Sequence, residues 1–400
     1  MKKRVYLDYA ATTYLDETVA QAMRLYWSKI FGNPSSLHKE GLDARIAIDT
    51  ARVSIAKILG CYSDEVVFTN GGTESDNLAI LGVARKNAHT GKHIVVSAIE
   101  HHAVLEAVEH LVKKEGFTAT LVKPDKDGII HASEIEKAIT PATTLVSVMY
   151  ANNEVGTIQP VSEIVRAVRA KEKELHRKIY FHTDACQAAG YLDIKVQPLG
   201  VDLLTLNGGK LYGPKATGVL FIKKGTPIEP LMYGGGQEMG LRVGTENVPG
   251  IVGLSAALAI AEETKARESK RVSALRDHII KGILKEIPKS FLNGHAEKRL
   301  PNNVNVSILD IEGEALILKL DNEGIAVSTG SACSSRNLEP SHVLRAMGLP
   351  YEAAHGSLRI TLGRSSTKQD ADYLLRVLPK IVKDLRELSP LKMRINMFKK

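Results

Sequence analysis

Along the chain, short runs of apolar residues alternate with longer stretches whose apolar positions recur at helical spacing. The run Val66-Val67-Phe68-Thr69 reads as a strand, and Asn70-Gly71-Gly72 turns from it into a helix. The run Ile94 to Ser97 is followed by a helical stretch from Glu100 to Glu115 that Gly116 closes. Leu145 to Val148, Ile179 to Phe181 and Val201 to Leu204 repeat the pattern. Nearly continuous apolar runs belong to strands buried on both faces, and their alternation with helices predicts a parallel sheet sandwiched between helical layers. In such sheets ligands bind beyond the carboxyl ends of the strands, so polar residues just after each run are the ones to examine. Beyond Pro249 the character changes. A long helical region runs to about Ile287, short strands follow at Val304 to Val306 and Leu358 to Ile360, and a last helix covers Lys368 to Leu388. This predicts a smaller α+β lobe. There is no internal repeat and no flexible linker between the lobes.

Composition narrows the class. With 44% apolar and 24% charged residues in 400, the chain has enough material for a large core and contains no low-complexity tract. The net charge of +8 is dispersed, apart from lysines and arginines at the two ends. No basic stripe interleaved with aromatics and no zinc-finger or RNA-binding signature accompanies it, so solvated surface lysines are expected, not a nucleic-acid partner. Three scattered cysteines, Cys61, Cys186 and Cys333, do not make a disulfide framework and point to a reducing compartment. The basic N-terminus lacks a signal peptide's apolar stretch, and the longest apolar region, Val248 to Ala261, contains Pro249 and stops at Glu262 and Glu263. That is short of the ~20 residues a membrane helix needs, and a cytoplasmic location without a membrane partner is expected.

Four segments carry candidate chemistry. Thr69 to Asn77 lies at a strand-to-helix turn where the glycines allow close backbone approach, Thr73 can cap the helix, and the helix N-terminus suits an anion; a purely structural turn explains it as well. Asp184 follows the Tyr180-Phe181 run, where a carboxylate must be paired or serve a ligand, and a structural hydrogen bond is the ordinary alternative. Lys210 sits among glycines in Asn207-Gly208-Gly209-Lys210-Leu211-Tyr212-Gly213; a sheltered lysine can lose its proton and form a Schiff base, although a lysine in a surface turn is the commoner case. Cys333, in Ser328-Thr329-Gly330-Ser331-Ala332-Cys333-Ser334-Ser335, has little apolar cover, which favours a reactive thiolate, whereas Cys61 and Cys186 read as structural. His101-His102 and the His182/Asp184 pair hint at a metal, but adjacent histidines do not share a helix face and no third or fourth ligand has the right spacing, so no metal is expected.

Together with Tyr6 to Thr13, Phe31 to Ser36, Asn152 to Gly156, Arg242 to Thr245 and Leu338 to Ser341, these segments resemble, in order, the cysteine desulfurases of the NifS/IscS type, the class V aminotransferase branch of the fold-type I pyridoxal-phosphate (PLP) enzymes. The cysteine loop resembles that of the family's first group. The resemblance implies an α/β fold with a mostly parallel seven-stranded central sheet, helices on both faces and a smaller α+β C-terminal domain. It implies a large PLP-binding domain over 15–255, and a small domain of 1–14 and 256–400 carrying the cysteine loop at about 328–340. By position, Lys210 would hold PLP and act as base, and Asp184 would pair with the pyridinium nitrogen. His101 would stack on the ring, Gln187 would bond the ring's 3-oxygen, and Asn153 would lie between that oxygen and the substrate. Gly72, Thr73 and Asn207 would surround the phosphate, which Thr245 would reach from the other subunit of a homodimer. Arg359 would grip the carboxylate of L-cysteine, with Asn33 beside the substrate, and Cys333 would take the sulfur as a persulfide for an acceptor protein such as an iron–sulfur scaffold or the machinery of tRNA thiolation. The alternatives are a selenocysteine lyase or another PLP lyase or aminotransferase, and a catalytically silent interaction scaffold.

Two departures bear on the cofactor. The family's usual histidine before the lysine is Gly209, and its usual serine two positions earlier is Asn207. Weaker PLP retention is therefore expected. Arg336 adds a cation near Cys333 that would favour the thiolate.

Overall fold

The computed structural model describes residues 4–330, 340–389 and 393. Its strands are β1 (Val5–Tyr6), β2 (Val66–Thr69), β3 (His93–Ser97), β4 (Thr118–Val122), β5 (Thr143–Ser147), β6 (Tyr180–Asp184), β7 (Leu203–Asn207), β8 (Gly218–Ile222), β9 (Ser290–Leu292), β10 (Asn303–Ile308), β11 (Ile325–Ala326) and β12 (Ser357–Thr361). Seven of them form the central sheet in the order β2-β8-β7-β6-β5-β3-β4. All run parallel except β8, which is antiparallel to both its neighbours. The α/β class with a mostly parallel sheet is as expected. The strands β2, β3, β5 and β8 are buried at every position, which is why they read as unbroken apolar runs. Half-exposed β4 at the sheet's edge, and β8 returning without a crossover helix, do not stand out in that pattern.

Several boundaries move. The helix predicted from Glu100 begins at His102, with His101 as its N-cap, and ends as expected at Gly116 in the left-handed conformation. β7 starts at Leu203 and runs on to Asn207, so Asn207 is the strand's last residue and the turn is the single 3₁₀ turn Gly208–Lys210. Thr73 does not cap its helix: the N-cap of Gly72–Asn77 is Gly71, at φ 129°, with no side-chain bond.

The smaller part of the molecule holds the antiparallel sheet β12-β10-β9 and the parallel pair β1-β11. The helix Val248–Glu286 joins the two parts, with Pro249 in its first turn, where the missing N–H is not needed. Its Ile251, Leu254 and Leu258 lie in the core beneath the large sheet, whereas Val272, Ile279 and Ile283 lie in a separate core with β10, β12 and the helix Lys368–Leu388. Among the described residues no helix is long and apolar enough to cross a membrane.

Candidate active site

The carboxyl ends of β2, β3, β5, β6 and β7 open onto one cavity of about 320 Å³, closed on its far side by the chain's beginning and by β12. Each strand end delivers a part of the lining. Gly72 and Thr73 follow β2, His101 and His102 follow β3, Met149 and Asn153 follow β5, Asp184 and Gln187 lie at β6, and Asn207 and Lys210 at β7. Ala10, Ala11, Gly330, His342 and Arg359 complete it from elsewhere in the chain.

Lys210 reaches in from its turn and donates to the carbonyls of Ala10 at 2.8 Å and Ala11 at 2.6 Å. Burial lowers the affinity of its amine for a proton, with Arg359 pushing the same way. Asp184 is 7% exposed, and one carboxylate oxygen accepts from the Cys186 backbone N–H at 2.8 Å. Gln187 donates to the Ala10 carbonyl at 3.0 Å, so one backbone oxygen orients both it and Lys210. His101 caps the helix behind it, its Nδ1 accepting from Ala103 N–H at 3.1 Å. That bond places the ring at the cavity wall, and burial there favours the neutral imidazole.

Arg359, also in the lining, is almost fully buried. One of its terminal nitrogens donates to Asp8 at 2.8 Å, and the other to the carbonyls of Gly330 at 2.7 Å and Asn153 at 3.2 Å, while Nε is buried without a partner. A guanidinium with one unsatisfied N–H suits an incoming carboxylate. Asn153 meets Arg359 through its backbone, so its side chain remains for the cavity.

Asn33 and Thr245 lie outside this cavity, both exposed. Cys333 and Arg336 fall outside the described residues, and the segment that contains them is bracketed by two fixed points. Gly330 is held by Arg359 on one side, and on the other Ser341 donates to the buried Glu154 while His342 Nε2 meets the Glu100 carbonyl at 3.0 Å.

Cys186, read from the sequence as structural, lies in the cavity lining, and the buried carboxyls Asp76, in the lining, and Glu100, beside it, were not singled out. Burial and the nearby carboxylates push the Cys186 thiol well above the ordinary range, which leaves it a poor nucleophile. Cys61, half-buried, is pushed up to about 12 for the same first reason. Asp76 and Glu100 are buried carboxyls near Asp184, each with one oxygen lacking a hydrogen-bond partner. Burial raises Asp76 well above the usual carboxylate range and Glu100 to about 8, Asp184 adding to both. Glu100 accepts from Ser97 and from Met149 N–H, tying the end of β3 to the end of β5. Beneath them His182 lies between Ser147 Oγ at 2.9 Å and Thr205 Oγ1 at 3.0 Å, and burial lowers it to about 4. Glu100 carries in the sequence the signal Asp184 gave, a carboxylate close to the end of a buried strand, whereas Asp76, inside the helix Gly72–Asn77, carries none. No group of three or more metal-binding side chains occurs among the described residues.

The cavity fits pyridoxal phosphate. A Cβ on Gly72 would come within 2.9 Å of Cys186 Sγ and 3.4 Å of Asn207 Nδ2, so only glycine leaves that corner open for a bulky group. A buried carboxylate and a lysine with a depressed proton affinity face the same space.

Comparison with known proteins agrees. Residues 5–374 match the aminotransferase class-V family. The chain is 50% identical over 400 residues to the cysteine desulfurase IscS of Dictyoglomus turgidum, covering all of both chains. Among solved structures, a NifS-like protein superposes with a TM-score of 0.89 at 38% identity, over 96% of this chain and 100% of that one. SspA in complex with cysteine superposes with a TM-score of 0.78 at 36% identity, over 90% of this chain and 99% of that one. The chain belongs to the aminotransferase class-V family, among its cysteine desulfurases of the NifS/IscS type.

Proposed function

We propose that this protein is a PLP-dependent cysteine desulfurase that converts L-cysteine to L-alanine and holds the sulfur as a persulfide on Cys333. The observation that carries the reading is the convergence, in one cavity, of the largely buried Lys210 amine, the buried Asp184 carboxylate and the Arg359 guanidinium. PLP, when bound, supplies an electron sink that makes the bond from the substrate's β-carbon to sulfur breakable. Every other task falls to the chain.

Lys210 would hold the cofactor, and its amine, whose affinity for a proton burial lowers, is the group placed to take the substrate's α-proton. Asp184 would pair with the ring nitrogen, His101 would lie against the ring, and Gln187 and Asn153 would address the 3-oxygen. Gly72, Thr73 and Asn207 would hold the phosphate, and Thr245 of a second copy would join them in a homodimer. Arg359 and Asn33 orient the substrate. The Cys333 thiolate attacks the substrate sulfur, the carbon–sulfur bond breaks, and the carbon skeleton leaves as alanine after protonation. Cys333 is left carrying one extra sulfur for an acceptor protein such as an iron–sulfur scaffold or tRNA-thiolation machinery, in a cytoplasmic setting. The large domain of this scheme covers 15–255, and the small domain covers 1–14 and 256–400. The separate cores on either half of the helix Val248–Glu286 support that division.

The test is release of sulfide and alanine from L-cysteine with a reductant and added PLP, for wild type and Cys333→Ala. Equal amounts of both products from wild type, with sulfide release lost in the variant, is the expected result. No alanine from cysteine, or sulfide release undiminished by Cys333→Ala, would overturn it. Running selenocysteine in parallel exposes a selenocysteine lyase as alanine from that substrate alone.

A further inference from the structure

The segment from Met232 to Asn247 is rich in glycine, with Gly234, Gly235, Gly236, Gly240 and Gly244, and its Tyr233 and Met239 are exposed. Yet two consecutive residues in its middle, Glu238 and Met239, have left-handed backbone at φ 45° and 58°. Residues with a Cβ adopt that conformation against a steric cost, and two together persist only where surrounding contacts impose it.

Glu238 identifies those contacts. Its side chain is buried, and its carboxylate takes a two-pronged grip from Arg52, at 2.6 and 2.9 Å, while accepting from Phe68 N–H at 2.8 Å. Arg52 in turn donates to the Val66 carbonyl at 2.5 Å and stacks over the Phe68 ring at 4.8 Å. Val66 and Phe68 lie on β2, which pairs with β8 alone and so forms an edge of the central sheet. The ion pair thus fills the hydrogen-bonding positions that a further strand would fill, and fastens the loop to the sheet's edge. A second tie follows four residues on. Arg242 Nε donates to Glu74 at 3.1 Å, and Glu74 also accepts from Asn70 N–H at 2.9 Å in the turn that leads to Thr73. Gly244 N–H closes the loop onto the Gln237 side chain at 3.1 Å. Next in the chain is Thr245, exposed and not among the residues that line its own chain's cavity. A loop this glycine-rich, held at two points by partly or fully buried charge pairs, is being held in a particular stance.

We propose that Glu238 and Arg52 form a positioning pair that sets the 232–247 loop so that Thr245 reaches the cofactor phosphate of a second copy of the chain. This rests on the shared-site homodimer proposed above and adds the device that aims the shared residue. Neither Glu238 nor Arg52 touches the cofactor.

Mixed dimers test it, with two differently tagged chains co-expressed and the heterodimer isolated as holoenzyme. In the first arrangement Glu238→Ala and Lys210→Ala sit on one chain and the partner is wild type. The one site able to bind PLP covalently then receives the altered loop. In the second arrangement Glu238→Ala is on one chain and Lys210→Ala on the other, so that site receives an intact loop. The readout is the rate at which lysine-bound PLP is lost to an apo-protein trap, followed by its visible absorbance. The expected result is loss accelerated about tenfold, the worth of one hydrogen bond to a charged group, in the first arrangement only. Equal acceleration in both arrangements, acceleration only in the second, or none in either, overturns the proposal. Thr245→Val in the same two arrangements separates it from its foundation. If Thr245→Val has no effect confined to the first arrangement, or no heterodimer forms between wild-type tagged chains, the shared-site reading fails. If Thr245→Val acts only in the first while Glu238→Ala does not, the positioning pair alone fails. Should Glu238→Ala not fold, Glu238→Gln keeps the shape and an acceptor for Phe68 N–H, and a smaller acceleration of about threefold is expected in the first arrangement alone.

Discussion

Two clusters of buried polar groups lie close together and are built on opposite principles. At the lobe junction, Arg299 spends its guanidinium on four backbone carbonyls, those of Asn303, His295, Val155 and Asn293, at 2.9 to 3.3 Å. Around it Asn293 donates to Asn305 and Ser307, and Asn303 and Asn305 both donate to the Glu154 carbonyl. What is left bare there are the side-chain carbonyl oxygens of the neutral amides Asn302 and Asn303. At the strand ends, by contrast, the groups left short of partners are ionisable: Asp76, Glu100 and Arg359. Leaving an atom of a buried ionisable group without a partner is more costly than leaving an amide oxygen so. The junction has spent its hydrogen bonds on holding the two parts together, and the cavity, at Asp76 Oδ1 and Arg359 Nε, has kept two positions for something that arrives.

The sharpest break between the two should come from one substitution in each. Lys210→Ala is expected to cut alanine formation from L-cysteine by at least ~100- to 10,000-fold, the range for losing a group that transfers a proton, while the melting temperature of the cofactor-free protein stays equal or rises. Arg299→Leu should do the reverse. It strands several buried carbonyls and costs about 2–4 kcal/mol of unfolding free energy by denaturant titration, with the activity of the protein that remains folded close to wild type. A Lys210→Ala protein that is markedly destabilised, or an Arg299→Leu protein whose stability is unchanged, would erase the distinction.

Glu100 sharpens it through pH. Its carboxyl is raised from 4.5 to about 8, mainly by burial. Between these values the unfolded chain has released the proton and the folded chain has not, so folding takes up a proton and stability falls as pH rises. The contribution is fully present below pH 4.5 and lost as pH passes through about 8. Glu100→Gln removes the proton from the balance. The variant is expected to gain on wild type with increasing pH over this window, by up to ~1.4 kcal/mol per pH unit, measured as the difference between denaturant midpoints. Parallel profiles would mean that Glu100 is charged in the folded protein and the contrast with the junction is smaller than its geometry implies.

What could be read from the sequence follows the same division. Strands buried on both faces announce themselves, so the sheet's interior was legible, whereas β4 at the edge hides in half-exposed Thr-Ala-Thr-Leu-Val and β8 lacks the crossover helix that marks its neighbours. His101 became a cofactor candidate only through the family resemblance, whereas Lys210 and Asp184 stood out as candidates because each lies at or just past the end of such a strand. Glu100 occupies the same kind of place, but an acid at the start of a helix is ordinary on its own, and nothing local tells that it is buried. Thr73 looked like a cap because local chemistry permits one, while the left-handed Gly71 takes that position. The tie between Arg359 and Asp8 joins residues from the two ends of the chain, 351 positions apart, and only the fold brings them together.

The smallest expected effect concerns the corner formed by Asn207 and Gly209, where the family resemblance implied a serine and a histidine. Asn207 Oδ1 accepts from Gly209 N–H at 3.0 Å, so this backbone donor is committed to the turn. Asn207 Nδ2 faces the open corner at Gly72, and Gly209 offers no side chain. A Cβ built at 209 meets nothing nearer than 3.5 Å, and its backbone is outside the left-handed region, so a side chain there is sterically tolerated. Gly209→His should therefore fold normally and slow the loss of PLP to an apo-protein trap by about tenfold, equivalent to ~1.4 kcal/mol for one added hydrogen bond to a charged group. If the rate does not change, Asn207 and the helix N-terminus already satisfy the phosphate, and the missing histidine has been compensated within the chain.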